Sequence, residues 1–132
     1  MNQRIEKAGA LRSHRKNREL EAEIYERQAE ICAALASPVR LMILDFLAEG
    51  EATATELQER LGLPKSNMAQ HLMVLKRAGI LTARSEGRFQ ILSLAIPEVK
   101  QACGLVRRVL AAQMSRQAAA AQALRGKLKE TI

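Results

Sequence analysis

The chain has 132 residues and a net charge of +7, with 48% hydrophobic residues but only 2% aromatic residues. This length predicts one domain whose core is built from aliphatic side chains, and no run approaches the roughly 18 apolar residues of a membrane span. The first residues also lack the apolar segment of a secretion signal, so we expect a cytoplasmic protein that makes no membrane contact.

Two helices are predicted before Gly50. The first covers residues 1–36, which are highly charged, and an apolar stripe on it indicates one buried face. The stripe residues are spaced by four, seven and four: Leu20, Ile24, Ile31 and Leu35. Ser37 as N-cap and Pro38 at the first helical position then open a second helix, which runs to about residue 48. Because this second helix is apolar on most sides, we expect it to be the central buried helix.

A helix–turn–helix is predicted next. Thr53 and Glu56 have the spacing of a capping box and begin a third helix. The sequence Gly62-Leu63-Pro64 predicts the turn. A fourth helix runs from about Pro64 to Ala78, and Gly79 ends it. Its inward face is defined by three apolar side chains: Met68, Leu72 and Leu75.

Two short strands and a long helix complete the chain. The strands, Ile80–Ser85 and Arg88–Leu94, flank Glu86-Gly87 as a hairpin. Pro97 opens the last helix, which is predicted to reach toward Arg125-Gly126. Its apolar stripe comprises Val99, Cys103, Val106, Leu110 and Met114. A hairpin directly after the fourth helix predicts a winged helix–turn–helix, mainly α with a small β-hairpin.

The positive charge is concentrated in the second half of the chain. Residues 31–59 have a net charge of −4, whereas residues 60–90 and residues 91–132 each have a net charge of +5. This distribution favours a polyanionic partner. The alternative is a solvated surface that serves solubility.

Several side chains of the fourth helix and the hairpin are candidates for DNA contact. On the helix face opposite the apolar one these are Lys65, Ser66, Asn67, Gln70 and His71. Gln70 is suited to bidentate pairing with adenine. His71 either contacts a base or phosphate or merely packs at the surface. Arg84 and Arg88 flank the hairpin tip, where they reach the DNA backbone or minor groove, unless the hairpin is an ordinary charged one.

Three stretches resemble the ArsR/SmtB family of bacterial winged-helix repressors. They are A-L-A-S-P-V-R-L-M-I-L-D-F-L (residues 34–47), L-G-L-P-K-S-N-M-A-Q-H-L-M-V-L-K-R-A-G-I-L (61–81) and R-S-E-G-R-F-Q-I-L-S-L (84–94). The resemblance implies a homodimer, held by the first and last helices, that binds an inverted-repeat operator in double-stranded DNA. It further implies a repressor that an inducer releases. The inducer itself is not indicated.

The resemblance also guides the division of the chain, because it covers about residues 30–112. We predict a charged helical N-terminal extension (1–30), a winged helix–turn–helix DNA-binding domain (31–112) and a C-terminal helix extension and tail (113–132).

Metal sensing of the kinds known in this family is not predicted. The family's arsenic- and cadmium-sensing type has a C-x-C motif on the helix before the turn, but Thr53 to Gln58 contain no cysteine. The zinc and nickel type uses Asp, His and Glu on the last helix, and this chain has neither His nor Asp there. We therefore expect no metal and no cofactor.

The two cysteines, Cys32 and Cys103, are candidates for sensing. Since the family packs the first and last helices together, we expect the thiols to lie close within or across subunits, as a redox or reactive-sulfur switch. Some relatives sense reactive sulfur with two cysteines, one of them where this chain has Asp45. Two alternatives are that both cysteines are small buried hydrophobic residues or that they bind a soft, thiophilic metal or metalloid ion.

Two other classes of protein fit the sequence less well than a DNA-binding repressor. A protein–protein adaptor on the same scaffold would not need the basic and polar side chains at the DNA-facing positions. An enzyme is not predicted, because no Ser/His/Asp or Cys/His set is available outside the DNA-facing and dimer-facing residues. No glycine loop of the phosphate-binding type is present either.

Overall fold

The computed structural model describes the backbone of residues 2–131 and the side chains of residues 6–130. Its helices are α1 (Asn2–Leu35), α2 (Pro38–Ala48), α3 (Ala54–Leu61), α4 (Lys65–Arg77) and α5 (Glu98–Thr131). The strands β1 (Ala52–Thr53), β2 (Leu81–Glu86) and β3 (Phe89–Leu94) form an antiparallel sheet in the order β1-β3-β2. The predicted winged helix–turn–helix is confirmed. Residues 1 and 132, the outer ends of the predicted terminal segments, lie outside the described residues.

The junction between α1 and α2 follows the sequence signals. Ser37 is the N-cap of α2, and its Oγ accepts a hydrogen bond from the Arg40 backbone N–H at 3.3 Å. Pro38 occupies the first turn, where its missing N–H would have had no helical partner. The axes of α1 and α2 differ in direction by 89°. The long first helix therefore leaves the domain at a steep angle to α2.

A single aliphatic core joins α2, α3, α4 and the sheet. Its most deeply buried side chains are Ile43, Leu57, Leu75, Ile80 and Leu92. The expectation of a central buried helix holds for one side of α2 only, because Leu41 and Met42 are 42% and 47% exposed. The core covers only the side of α2 that carries Ile43, Leu44 and Leu47.

The helix–turn–helix follows the predicted order but has only one of the two hydrogen bonds of the predicted capping box, since none of those in the described residues joins the Thr53 N–H to the Glu56 side chain. Thr53 caps α3, and its Oγ1 accepts a hydrogen bond from the Glu56 N–H at 3.1 Å. Gly62 ends α3 in the left-handed conformation, with φ of 64°, which glycine adopts without the steric cost of a Cβ atom. The inward face of α4 is buried as predicted, through Met68, Leu72 and Leu75.

The wing differs slightly from the sequence-based prediction. Glu86 pairs with Phe89, so the two-residue loop is Gly87-Arg88 rather than Glu86-Gly87. Gly87 has φ of 59°, a conformation that tight hairpin loops require and glycine tolerates. The strand β1 was not predicted, because two residues are too few for an alternating pattern. It pairs with β3 through Ala52–Leu92 and Thr53–Ile91 and extends the hairpin to three strands.

The two terminal helices are long and continuous. Helix α5 runs through the predicted end near Gly126 to Thr131, since one glycine costs a helix only about 1 kcal/mol and its surroundings are rich in helix-favouring alanine. Helices α1 and α5 also continue unbroken across the predicted domain boundaries, so that division stays a prediction. Within residues 2–131, no single helix is long and apolar enough to cross a membrane, and α1 with α2 meets that criterion only as a sharply bent pair.

Candidate nucleic-acid interface

The outward face of α4 carries the polar side chains that the sequence predicts. Because α4 buries positions 68, 72 and 75, the helical period turns Ser66, Asn67 and Gln70 to solvent, and all three are exposed. Lys65 is exposed at the first position of the helix. Pro64 provides no side-chain cap, so the first backbone N–H groups of α4 remain available to an anion such as phosphate.

Met73 also belongs to this face, although sequence reasoning did not select it. It lies one turn after Gln70 and is 49% exposed, unlike the buried Met68. The signal that identifies it is its spacing of three from Gln70 and seven from Ser66. An apolar side chain at such a position suits contact with the methyl group of thymine.

His71 lies at the edge of this face and is half-buried. Its Nδ1 atom is 3.3 Å from Nη1 of Arg40 in α2. The same guanidinium donates from Nε to the Ala34 carbonyl at 2.6 Å and from Nη2 to the Ala33 carbonyl at 3.3 Å. The prediction for His71 left DNA contact and surface packing open, and the structure adds a specific contact with Arg40.

Arg84 is engaged by two carboxylates. Its Nη1 is 2.6 Å from Oε2 of Glu51, and its Nε is 3.2 Å from Oε1 of Glu86. Since β3 lies between β1 and β2, the bond to Glu51 reaches across the sheet. The hydrogen bond with Glu51, followed by that with Glu86, raises the pKa of Arg84 above its ordinary value. Any phosphate that approaches Arg84 therefore competes with two acidic groups.

Arg88 has a different environment. It is exposed in the loop at the tip of the wing. Among the described side chains it makes no ion pair, and no acidic group neutralises it. The two arginines that the sequence treats alike thus differ: Arg84 is paired, and Arg88 is available to a phosphate.

The two cysteines are free thiols in different surroundings. Cys32 is exposed near the end of α1, whereas Cys103 is half-buried on α5 against the core. Asp45 of α2 forms an ion pair with Arg107 of α5 at 3.4 Å. In the described part of the chain, no three His, Cys, Asp or Glu side chains converge in a way that would hold a metal ion.

An exposed polar helix after a tight turn, with a hairpin wing behind it, defines the winged helix–turn–helix class of DNA-binding regulators. Residues 35–84 match the family model described as a helix-turn-helix domain. The chain is 38% identical over 103 residues to Rv0081 of Mycobacterium tuberculosis H37Rv, described as an uncharacterized HTH-type transcriptional regulator, covering 77% of this chain and 90% of that protein. It belongs to the ArsR/SmtB family of HTH-type transcriptional regulators.

Other similarities agree with this assignment. The crystal structure of Rv0081 matches with a TM-score of 0.66, and the match covers 71% of this chain and 95% of the Rv0081 chain. A fragment of Mb0332 from Mycobacterium bovis is described as a homodimeric winged helix-turn-helix DNA-binding domain. It is 32% identical with a TM-score of 0.63, and the match covers 68% of this chain and 83% of that fragment. The HTH-type transcriptional repressor SmtB of M. tuberculosis is 38% identical over 73 residues, 55% of this chain and 54% of SmtB.

Proposed function

We propose that the protein is a cytoplasmic, homodimeric repressor that binds an inverted-repeat operator and is released by an inducer. The observation that carries the DNA-binding part is the outward face of α4, where exposed Ser66, Asn67 and Gln70 follow an uncapped helix start. The repressor SmtB among its relatives supports the direction of regulation.

Exposed apolar side chains on the two terminal helices support the homodimer. They form stripes on α1 and α5: Leu20, Ile24, Ile31, Leu105, Val106, Val109, Leu110 and Met114. Residues 19–30 of α1 have a net charge of −4, whereas residues 99–129 of α5 contain seven basic and no acidic residues. A second copy packed through these helices would bury both stripes and bring opposite charges together. A two-fold dimer in turn favours an inverted-repeat operator.

The first test is binding of the full chain to the DNA upstream of its own coding sequence. Fluorescence anisotropy with a labelled duplex would measure affinity at several salt concentrations, with a scrambled duplex of the same length as control. The expected result is tighter, salt-dependent binding to the upstream duplex, because Lys and Arg side chains release counterions from DNA. Failure to bind either duplex would favour the adaptor.

Within this proposal, the DNA contacts divide into two groups. Lys65 and Ser66 at the helix start bind phosphate, while Asn67, Gln70 and His71 face base edges. Arg88 contacts the DNA backbone beside the wing, and Arg84 does so only by exchanging Glu51 or Glu86 for phosphate.

Changing Arg88 to alanine is expected to weaken binding to both duplexes and to lower the salt slope by about one unit per subunit. The reason is that Arg88 has no competing carboxylate in the described structure. Arg84→Ala is the matched control and should change the slope less, since Glu51 and Glu86 already neutralise that charge. Anisotropy titrations from low to moderate salt measure both slopes. An unchanged slope for Arg88→Ala would remove Arg88 from the interface.

The inducer in this proposal acts on Cys32 and Cys103. Oxidation joins the two sulfurs, and the two electrons and two protons pass to the oxidant, for example diamide. Support comes from the placement of one cysteine on each terminal helix, with both thiols free and Cys32 exposed. A bond between α1 and α5, within or across subunits, would move the helices that hold the dimer and so alter the spacing of the two α4 helices.

Treatment with diamide or a polysulfide is expected to weaken operator binding about tenfold or more, and reducing agent should restore it. The variants Cys32→Ser and Cys103→Ser should each bind like the untreated protein and ignore the oxidant. If the unchanged chain binds equally well after treatment, the two cysteines do not form the switch. Weaker binding caused by a thiophilic metal ion but not by diamide would instead support the metal-responsive alternative.

A further inference from the structure

Arg40 connects three helices at one point. It belongs to α2, its Nε and Nη2 donate to the carbonyls of Ala34 and Ala33, and its Nη1 contacts Nδ1 of His71 in α4. The last carbonyls of a helix have no partner within that helix. Arg40 thus donates hydrogen bonds to carbonyl groups at the end of α1 and reaches α4 with the same planar guanidinium.

The contact bears on which ring nitrogen of His71 carries the proton. An arginine side chain only donates hydrogen bonds, so a hydrogen bond at this 3.3 Å contact requires Nδ1 of His71 to be the acceptor and to carry no proton. The neutral ring then has its proton on Nε2. Among the described residues, Nε2 makes no hydrogen bond with the protein, so its N–H remains available to another partner.

We propose that Arg40 is a positioning residue for DNA recognition, which holds His71 in the Nε2–H form so that it meets DNA as a hydrogen-bond donor. This inference rests on the proposed function. It selects the chemistry of the contact: the DNA group is an acceptor, such as guanine O6 or N7, adenine N7, thymine O4 or a phosphate oxygen. The amino group of cytosine is excluded, because it is itself a donor.

The same contact ties α4 to α1. Ala33 follows Cys32 directly, so a rearrangement of the end of α1 reaches His71 through a single side chain. Lysine at position 40 would keep the charge but would lack the planar fork that bonds two carbonyls and a ring nitrogen together.

Two measurements on the full chain test the proposal. The first is NMR of the protein with 15N-labelled histidine, in which the chain's two histidines are distinguished with a His14→Gln variant. The expected spectrum shows His71 with unprotonated Nδ1 and protonated Nε2. In Arg40→Met the population of the Nδ1–H form should rise toward that of a free neutral imidazole, because nothing then requires Nδ1 to act as an acceptor. Arg107→Met is the control, because Arg107 of α5 also contacts α2 but through an ion pair with Asp45. This variant should leave the His71 signals unchanged.

The second measurement is a double-mutant cycle in operator affinity. We expect Arg40→Met and His71→Ala each to weaken operator binding about tenfold. The double variant should bind no more than about twofold more weakly than either single variant, since both changes remove the same contact. Arg40→Lys should bind the operator more tightly than Arg40→Met but more weakly than the unchanged chain. Thermal unfolding of each variant distinguishes a lost Arg40–His71 contact from a general loss of stability. A general loss caused by Arg40→Met would be the same whether or not residue 71 is a histidine.

Each outcome is decisive. A proton on Nδ1 in the unchanged chain, or losses that multiply to about a hundredfold in the double variant, would overturn the role of Arg40 while leaving the repressor proposal standing. If the unchanged chain binds no DNA, the proposed function fails and this role fails with it, whatever the histidine spectrum shows.

Discussion

Replacing Leu75 with alanine is expected to lower the free energy of unfolding by about 3 kcal/mol, within the range measured for buried leucines in other proteins. Leu75 is fully buried, on the inward face of α4. Truncation removes apolar contact and leaves a cavity between α4 and the rest of the core. Because small domains are stabilised by only about 5–15 kcal/mol, this is a large fraction of the total.

Urea denaturation followed by circular dichroism would measure the loss, at one fixed protein concentration because the apparent stability of the proposed dimer would depend on concentration. Met73→Ala is the control on the same helix, since Met73 is 49% exposed. Its effect on stability should stay within about 0.5 kcal/mol. Equal losses for the two variants would contradict the orientation of α4 described above.

Changing Gln70 to alanine is expected to weaken operator binding about a hundredfold in a dimer that loses the contact in both half-sites. The amide of Gln70 is exposed on the outward face of α4 and is suited to bidentate pairing with adenine. Since glutamine is neutral, the salt slope should not change. The loss should appear on the operator and not on scrambled DNA.

Anisotropy titrations with both duplexes would measure the ratio of specific to non-specific affinity. Gln101→Ala is the matched control, because Gln101 is an exposed glutamine on α5. It should leave both affinities unchanged. If Gln70→Ala weakens binding to the two duplexes equally, the residue supports binding in general and does not read bases.

Helix α4 and the wing together would distribute recognition between two kinds of contact. In the proposed complex, neutral side chains on α4 would supply sequence preference, whereas Arg88 would supply affinity that depends on salt. The salt slope and the specificity ratio therefore separate the two groups in one set of titrations. A variant that changed both quantities would indicate a residue that positions the helix rather than one that touches DNA.

Local signals in the sequence were sufficient for most of the architecture. Ser37-Pro38, Thr53 with Glu56, Gly62 and Gly87 each act through their own backbone or a neighbour within three residues, so the caps and turns were predictable. The apolar period of α4 identified its buried face for the same reason. The outward-facing Ser66, Asn67 and Gln70 followed directly from that period, as did the mainly helical fold with its hairpin.

Only the tertiary structure decided which charged side chains are free. Arg84 and Glu51 are far apart in sequence, and Arg40 and His71 are separated by 31 positions. Their contacts depend on how the sheet and helices pack, and no periodic pattern encodes such pairings. The short β1 was missed for the same reason, since two residues become a strand only where β3 offers a partner. The sequence alone thus determined the helices, the hairpin and the outward face of α4, whereas packing added β1, distinguished Arg88 from Arg84 and joined His71 to α1 through Arg40.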